Sequence, residues 1–169
     1  RGARFLLIGG TGEGAMEERA ASRENVDVLP WMSFTELTPY LYAADVLMIP
    51  PSRAPLEIGS TVLPLKLFLY LGAGRAIFAP RSPDTAELLD DRNACLVAPA
   101  DADDVTEVSR ALMHLLDDDA ARTRLAQEAL RRAESLTWDA RAEGLEAFIE
   151  ARLPAAKAGS SPQPNGPDG

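Results

Sequence analysis

The sequence predicts an α/β domain, a parallel sheet with helices on both faces. Short, continuously apolar runs recur at 4–8, 26–29, 46–49, 76–79 and 94–98, the pattern of strands buried on both sides. Helical segments separate these runs, so consecutive strands are expected to run parallel, with right-handed crossovers, in one five-stranded sheet. At 169 residues the chain suits a single domain whose core buries about two-thirds of its unfolded surface. Residues 1–153 form that domain in this reading. In such a sheet, ligands sit outside the carboxyl ends of the strands.

The first run, Arg4-Phe5-Leu6-Leu7-Ile8, ends in Gly9-Gly10. Gly10-Thr11-Gly12-Glu13-Gly14-Ala15 then matches G-x-G-x-x-A, the dinucleotide fingerprint. That mechanism also requires an acidic residue at the end of the next strand to hold a ribose hydroxyl. Val26-Asp27-Val28-Leu29 instead runs into Pro30-Trp31-Met32. A tight strand-to-helix turn beside a nucleotide cleft fits better than NAD binding. Residues 16–24 read as a short charged helix with a solvated face. Ser33-Phe34-Thr35-Glu36 fits a capping box, with Met32 and Leu37 as its staple, although Pro39 allows a start at Thr38 instead. Trp31 and Met32 read either as core or as cleft residues. The third strand stops at Pro50-Pro51, and 52–61 is loop.

The run from Leu63 to Pro80 organises the rest. Pro64 suits a first helical turn, Gly72 or Gly74 can supply a left-handed stop, and Arg75 suits the negative end of the dipole. Nearly every position between is apolar, so a helix buried almost all round is expected. Lys66 is the exception. A cation opposes the local dipole there, which makes sense beside an anion; the bland alternative is a lysine snorkelling to solvent. A further helix is expected at 84–90, then one capped by Asp101 with Val105, Val108, Leu112, Leu115 and Leu116 on a stripe. His114 on it has no partner at ligand spacing and reads as a surface residue. Two more helices follow, the last closing the domain with Trp138, Leu145, Phe148, Ile149 and Leu153. The Pro- and Gly-rich segment 154–169 is expected to be a disordered tail.

Several segments together resemble one family. Pro64-Leu65-Lys66-Leu67-Phe68-Leu69-Tyr70-Leu71 with Gly74-Arg75 resembles the signature of the C-terminal half of family-four-like glycosyltransferases of the GT-B fold. Ala43-Ala44-Asp45-Val46-Leu47-Met48-Ile49-Pro50, then Glu87-Leu88-Leu89-Asp90 to Val97, then Leu136-Thr137-Trp138 follow in the family's order. The resemblance implies a Rossmann-like, donor-binding domain. Its substrate would be a nucleotide sugar, with no further cofactor and no metal. It implies two partners: an N-terminal acceptor-binding domain of the same enzyme, and a glycan or lipid-linked acceptor in polysaccharide or cell-envelope synthesis.

Such a half usually begins with an earlier strand and loop. Arg1-Gly2-Ala3 runs straight into the first apolar run, so a fragment lacking that piece is expected. By the same resemblance the donor-binding set is Gly10, Trp31, Met32, Ser52, Arg53, Ser60, Thr61, Val62, Lys66 and Leu69. Many relatives carry carboxylates at the positions of Thr61 and Leu69; here neither is acidic, and no catalytic residue stands out. A non-catalytic nucleotide-sugar-binding relative and an epimerase of the same fold remain the alternatives. The net charge of −9 argues against nucleic acid as a partner. One cysteine, Cys95, reads as a buried thiol in a reducing compartment, and no apolar run would span a bilayer. The expected location is the cytoplasm, extending to a peripheral place at the inner membrane face.

Overall fold

The computed structural model describes residues 2–10, 14–51 and 63–153. The elements run β1 (Phe5–Gly10), α1 (Ala15–Ala21), β2 (Val26–Pro30), α2 (Phe34–Ala43) and β3 (Val46–Met48). Then come α3 (Lys66–Ala73), β4 (Ala76–Pro80), α4 (Pro83–Ala86) and β5 (Cys95–Val97), followed by α5 (Val105–Asp117), α6 (Asp119–Glu134) and α7 (Trp138–Arg152). Every strand pairing is parallel, as the apolar runs and intervening helices require.

The packing centre is β4, all five of whose residues are buried. Its side chains alternate between two clusters. Ile77 and Ala79 join Leu67 and Leu71 of α3, Leu88, Leu89 and Ala129 of α6. Ala76 and Phe78 join Val97 of β5, Leu115 of α5 and Leu125 of α6. Helices therefore cover both faces of this sheet, and the domain is Rossmann-like. Full burial of a side chain such as Leu67, Leu71 or Phe78 contributes roughly 1.5–3 kcal/mol each.

The single five-stranded sheet is not what forms. β1 and β2 make one two-stranded sheet, and β3, β4 and β5 make a second in that order. Hydrogen-bonded pairing does not cross from β1 to β3. The consequence is visible in β1: Leu6 and Leu7 point to opposite faces and are 45% and 40% exposed, although the run was expected to be buried on both sides.

Local chemistry explains most other departures. α2 starts at Phe34 and carries Pro39 inside it, because the Ser33–Glu36 capping box satisfies the N-terminal amides: Ser33 N–H donates to Glu36 Oε2 at 2.8 Å and Glu36 N–H to Ser33 Oγ at 3.4 Å. The helix expected at 84–90 is one turn, since Asn93 folds the next residues into a turn; its Nδ2 donates to Leu88 O at 3.0 Å, and Asp90 N–H donates to its Oδ1 at 2.9 Å. Asp104 caps α5, not Asp101; its Oδ1 accepts from Thr106 and Glu107 N–H. α3 starts at Lys66, and Pro64 lies in the tight turn before it, taking Leu67 N–H at 2.9 Å. At its other end Gly74 adopts the left-handed conformation (φ 59°) that L side chains resist. Arg75 serves the dipole of α2, its guanidinium donating to Tyr42 O.

α3 is not buried all round: Leu67 and Leu71 are core, while Lys66, Phe68 and Gly72 are exposed. α7 does not close the domain. None of its residues is buried, and Trp138, Leu145, Phe148 and Ile149 are all exposed. Cys95 is only half-buried, and that burial pushes its thiol pKa up. Residues 154–169 lie outside the described residues.

Candidate donor site at the carboxyl edge of the strands

Parallel strands bring Gly10, Pro30-Trp31, Ile49-Pro50, Pro80-Arg81 and Val97 to the carboxyl edges of their sheets. α3 begins after β3 and returns to the amino end of β4, so Lys66 stands at the carboxyl side of the larger sheet. Ser52, Arg53, Ser60, Thr61 and Val62 lie outside the described residues.

The first turn of α3 differs from every other helix start described. Ser33, Ser82, Asp104, Asp118 and Thr137 each cap their helix with a side-chain oxygen. α1 has no such cap but places Glu17 and Glu18 in its first turn. α3 has neither a side-chain cap nor an acidic residue there, and its first residue is the exposed Lys66. A positive dipole end reinforced by a cation is a place for an anion. Leu69, one turn on, is half-buried and belongs to neither core cluster. The core face of this helix is Leu67 and Leu71. Phe68 is not part of it; at 39% exposure it lines a shallow apolar groove of about 370 Å³ with Gly72, Leu130 and Leu136.

Trp31 is not a core residue. It is 77% exposed just past the end of β2, while Met32 is half-buried before the Ser33 cap. Gly10 has a packing reason to lack a side chain: a Cβ there would lie 2.7 Å from Glu17 Oε1. The carboxylate of α1 thus fills the space against the glycine turn. Asp27, the only acidic residue of β2, is committed to Arg4, whose Nε and guanidinium donate at 2.5 and 2.9 Å and hold its carboxyl below the usual range. The carboxyl end of β2 therefore offers no acid to a ribose, as the dinucleotide mechanism would need.

Sequence reasoning missed two residues at this edge. In the sequence Glu17 reads only as part of a solvated helix face, because its approach to Gly10 depends on backbone geometry. Arg81, directly after β4, pairs with Asp91 and anchors its own N–H on Val97 O at 2.8 Å. A cation immediately following a buried strand was the available signal. His114 is exposed near the end of α5. Among the described residues no group of three or more His, Cys, Asp or Glu is arranged to hold a metal ion. Nor is any described helix long and apolar enough to cross a membrane.

A family profile described as glycosyl transferases, group 1, matches residues 1–118. That span contains both sheets, the Lys66 helix start and the Asn93 turn. The chain belongs to the group 1 glycosyltransferases. Against curated proteins, no match is found. In this glycosyltransferase domain, the turn from Leu88 to Asn93 is held by its own side chains. Asn93 is 6% exposed, and its amide ties Leu88 to Asp90. Asp90 in turn accepts from Arg92 N–H and Nε, both at 2.9 Å, which lowers its pKa.

Proposed function

We propose that this chain is the donor-binding half of a glycosyltransferase that uses a nucleotide sugar. The observation that carries the reading is the N-terminus of α3: uncapped by any side chain, free of acidic residues in its first turn, and headed by Lys66 at the carboxyl side of the sheet. Glycosyl transfer breaks the bond between the anomeric carbon and the diphosphate, and negative charge grows on the departing phosphate oxygen. Backbone N–H groups, a helix dipole and a fixed cation stabilise that charge without reacting. Lys66 takes the phosphate, and the exposed Trp31 presents an aromatic face for a nucleobase. By the family resemblance, position 69 serves the donor ribose and position 61 the sugar, and Gly10, Met32, Ser52, Arg53, Ser60 and Val62 complete the donor-binding set.

The acceptor, a glycan or lipid-linked sugar, is held by an N-terminal domain, which also closes the cleft against water. With only one wall of that cleft, the chain alone binds a nucleoside diphosphate weakly and turns over no donor. Titration calorimetry and a donor-hydrolysis assay test this: measurable turnover by the isolated chain contradicts it. Leu69 supports a second reading, a nucleotide-sugar-binding relative without turnover, since an alkyl side chain cannot hold a hydroxyl. Turnover by the chain joined to its N-terminal half decides between the two. The work is assigned to the cytoplasm, at or near the inner membrane face, in polysaccharide or cell-envelope synthesis.

A further inference from the structure

α7 is a helix of 15 residues, none of them buried. An isolated helix of that length is marginal in water, because packing supplies most helical stability. Its sequence is nonetheless regular. Trp138, Ala142, Leu145 and Ile149 follow at spacings of four, three and four residues, which sets them on one side of the helix. Asp139, Glu143, Glu146 and Glu150 repeat that spacing one position on, so an acidic flank runs beside the apolar stripe.

At the foot of α7 lies the groove between α3 and α6, lined by Phe68, Gly72, Leu130, Ala133 and Leu136. The two helices run antiparallel there. Gly74, at the end of α3, lies against Leu130, whereas Phe68, near its start, shares the groove with Leu136 and Thr137. Thr137 is also the N-cap of α7, so groove and stripe meet at one end. On α6, Ala126, Leu130, Ala133 and Thr137 share one side at the same spacing of four, three and four, with the exposed Arg124 and Arg131 on the flank.

We propose that α7 is a strap with two positions: projecting, as in this structure, and folded back into the α3–α6 groove as the second arm of a helical hairpin. Ser135, Leu136 and Thr137 make a connector of the length such hairpins use. So short a tether holds the stripe beside the groove at an effective concentration on the order of millimolar. Folded back, α7 sets Ala142 against Ala133, Leu145 against Leu130 and Ile149 against Ala126. Antiparallel helices bring like flanks together, so Glu143 and Glu150 come alongside Arg131 and Arg124. Only the backbone of the connector has to turn. The strap then works as a switch: a partner that takes the stripe of α7 empties the groove, and whatever fills the groove releases α7. The inference rests on packing alone and stands whether or not Lys66 meets a phosphate.

The test uses the full chain and amide hydrogen exchange. Leu130→Asp puts a charge into the groove from an already exposed position. The amides of residues 142–150 should be protected about tenfold or more in the native chain over Leu130→Asp, with β4 unchanged in both. Arg131→Glu should lower that protection, and Arg131→Glu with Glu143→Arg should restore it. In a Cys95→Ser background, Leu130→Cys with Leu145→Cys should close into an intramolecular disulfide under mild oxidation. Leu130→Cys with Ala147→Cys, on the opposite side of α7, should not. Equal exchange of α7 in the native chain and Leu130→Asp overturns the proposal, as does equal bridging of the two cysteine pairs. Bridging between chains, or protection that rises with protein concentration, assigns the groove to a second copy and equally overturns it.

Discussion

Leu69→Glu separates a cleft position from a core position on α3. Leu67 and Leu71 on the same helix are completely buried, whereas Leu69 is half-buried and outside both core clusters. Full burial of a leucine is worth roughly 1.5–3 kcal/mol, so exchanging this one forfeits about 1 kcal/mol. Glutamate and leucine have similar helix propensity, and Lys66 three residues earlier returns about 0.2–0.5 kcal/mol. The net loss should stay within about 1 kcal/mol, a melting-temperature change of roughly 2–4 °C for a chain of this size. A carboxylate there meets the paired hydroxyls of a donor ribose, and nucleoside-diphosphate affinity should rise roughly tenfold, about 1.4 kcal/mol. Leu67→Glu is the control: it buries an unpaired charge and should cost several kcal/mol. Calorimetry and thermal melting of both variants decide it. If Leu69→Glu melts as low as Leu67→Glu and gains no affinity, Leu69 is sealed in the core and the assignment of this face fails.

Asn93→Ala removes the amide that ties Leu88 O to Asp90 N–H and should lower stability by roughly 2–3 kcal/mol in chemical denaturation; a change within about 0.5 kcal/mol would show the turn is held by other means. Gly10→Ala sets a Cβ against the Glu17 carboxylate and should destabilise, whereas Gly10→Ala with Glu17→Ala should recover most of the loss; equal melting of the single and double variants would exclude that clash. Asp27 and Asp90 have pKa values lowered by Arg4 and Arg92, and Glu36 by its bonds to Ser33. Groups depressed in the folded state stabilise it above their unfolded values, near pH 4, and lose that stabilisation as pH falls further. The denaturation midpoint should therefore drop below pH 4, and less steeply in Arg4→Gln; identical acid profiles would refute the Arg4 contribution. Burial raises the Cys95 thiol pKa, so alkylation at pH 8 should be slow in the native chain and fast after unfolding.

The fold was legible where a residue's local chemistry and its tertiary setting agree. The five apolar runs became five strands because β-rich sequences flanked by caps leave little choice, and Ser33-Phe34-Thr35-Glu36 specifies its own helix start. The division into two sheets was not legible, because pairing is a property of neighbours and the run at Phe5 reads the same with or without one. Trp31, for which a core place is the favoured sequence reading over the cleft, is exposed because Pro30 ends β2 before the ring reaches any packed layer. The stripe of Leu145, Phe148 and Ile149 announced a packed helix, but a stripe shows only that a face is apolar, not what covers it. At the site, Lys66 was legible as a cation against a dipole. Glu17 was not, since its place against Gly10 follows from the turn between them.

The most direct measurement is nucleoside-diphosphate binding by the native chain and by Lys66→Ala, with thermal melting of each. The account predicts that the native chain binds a nucleoside diphosphate and that Lys66→Ala weakens it by roughly 1.5–3 kcal/mol, the range for a hydrogen bond to a charged group, with the melting curve unchanged. Equal affinity of the two proteins, with both melting curves intact, would contradict it and leave Lys66 as an exposed lysine at a helix start.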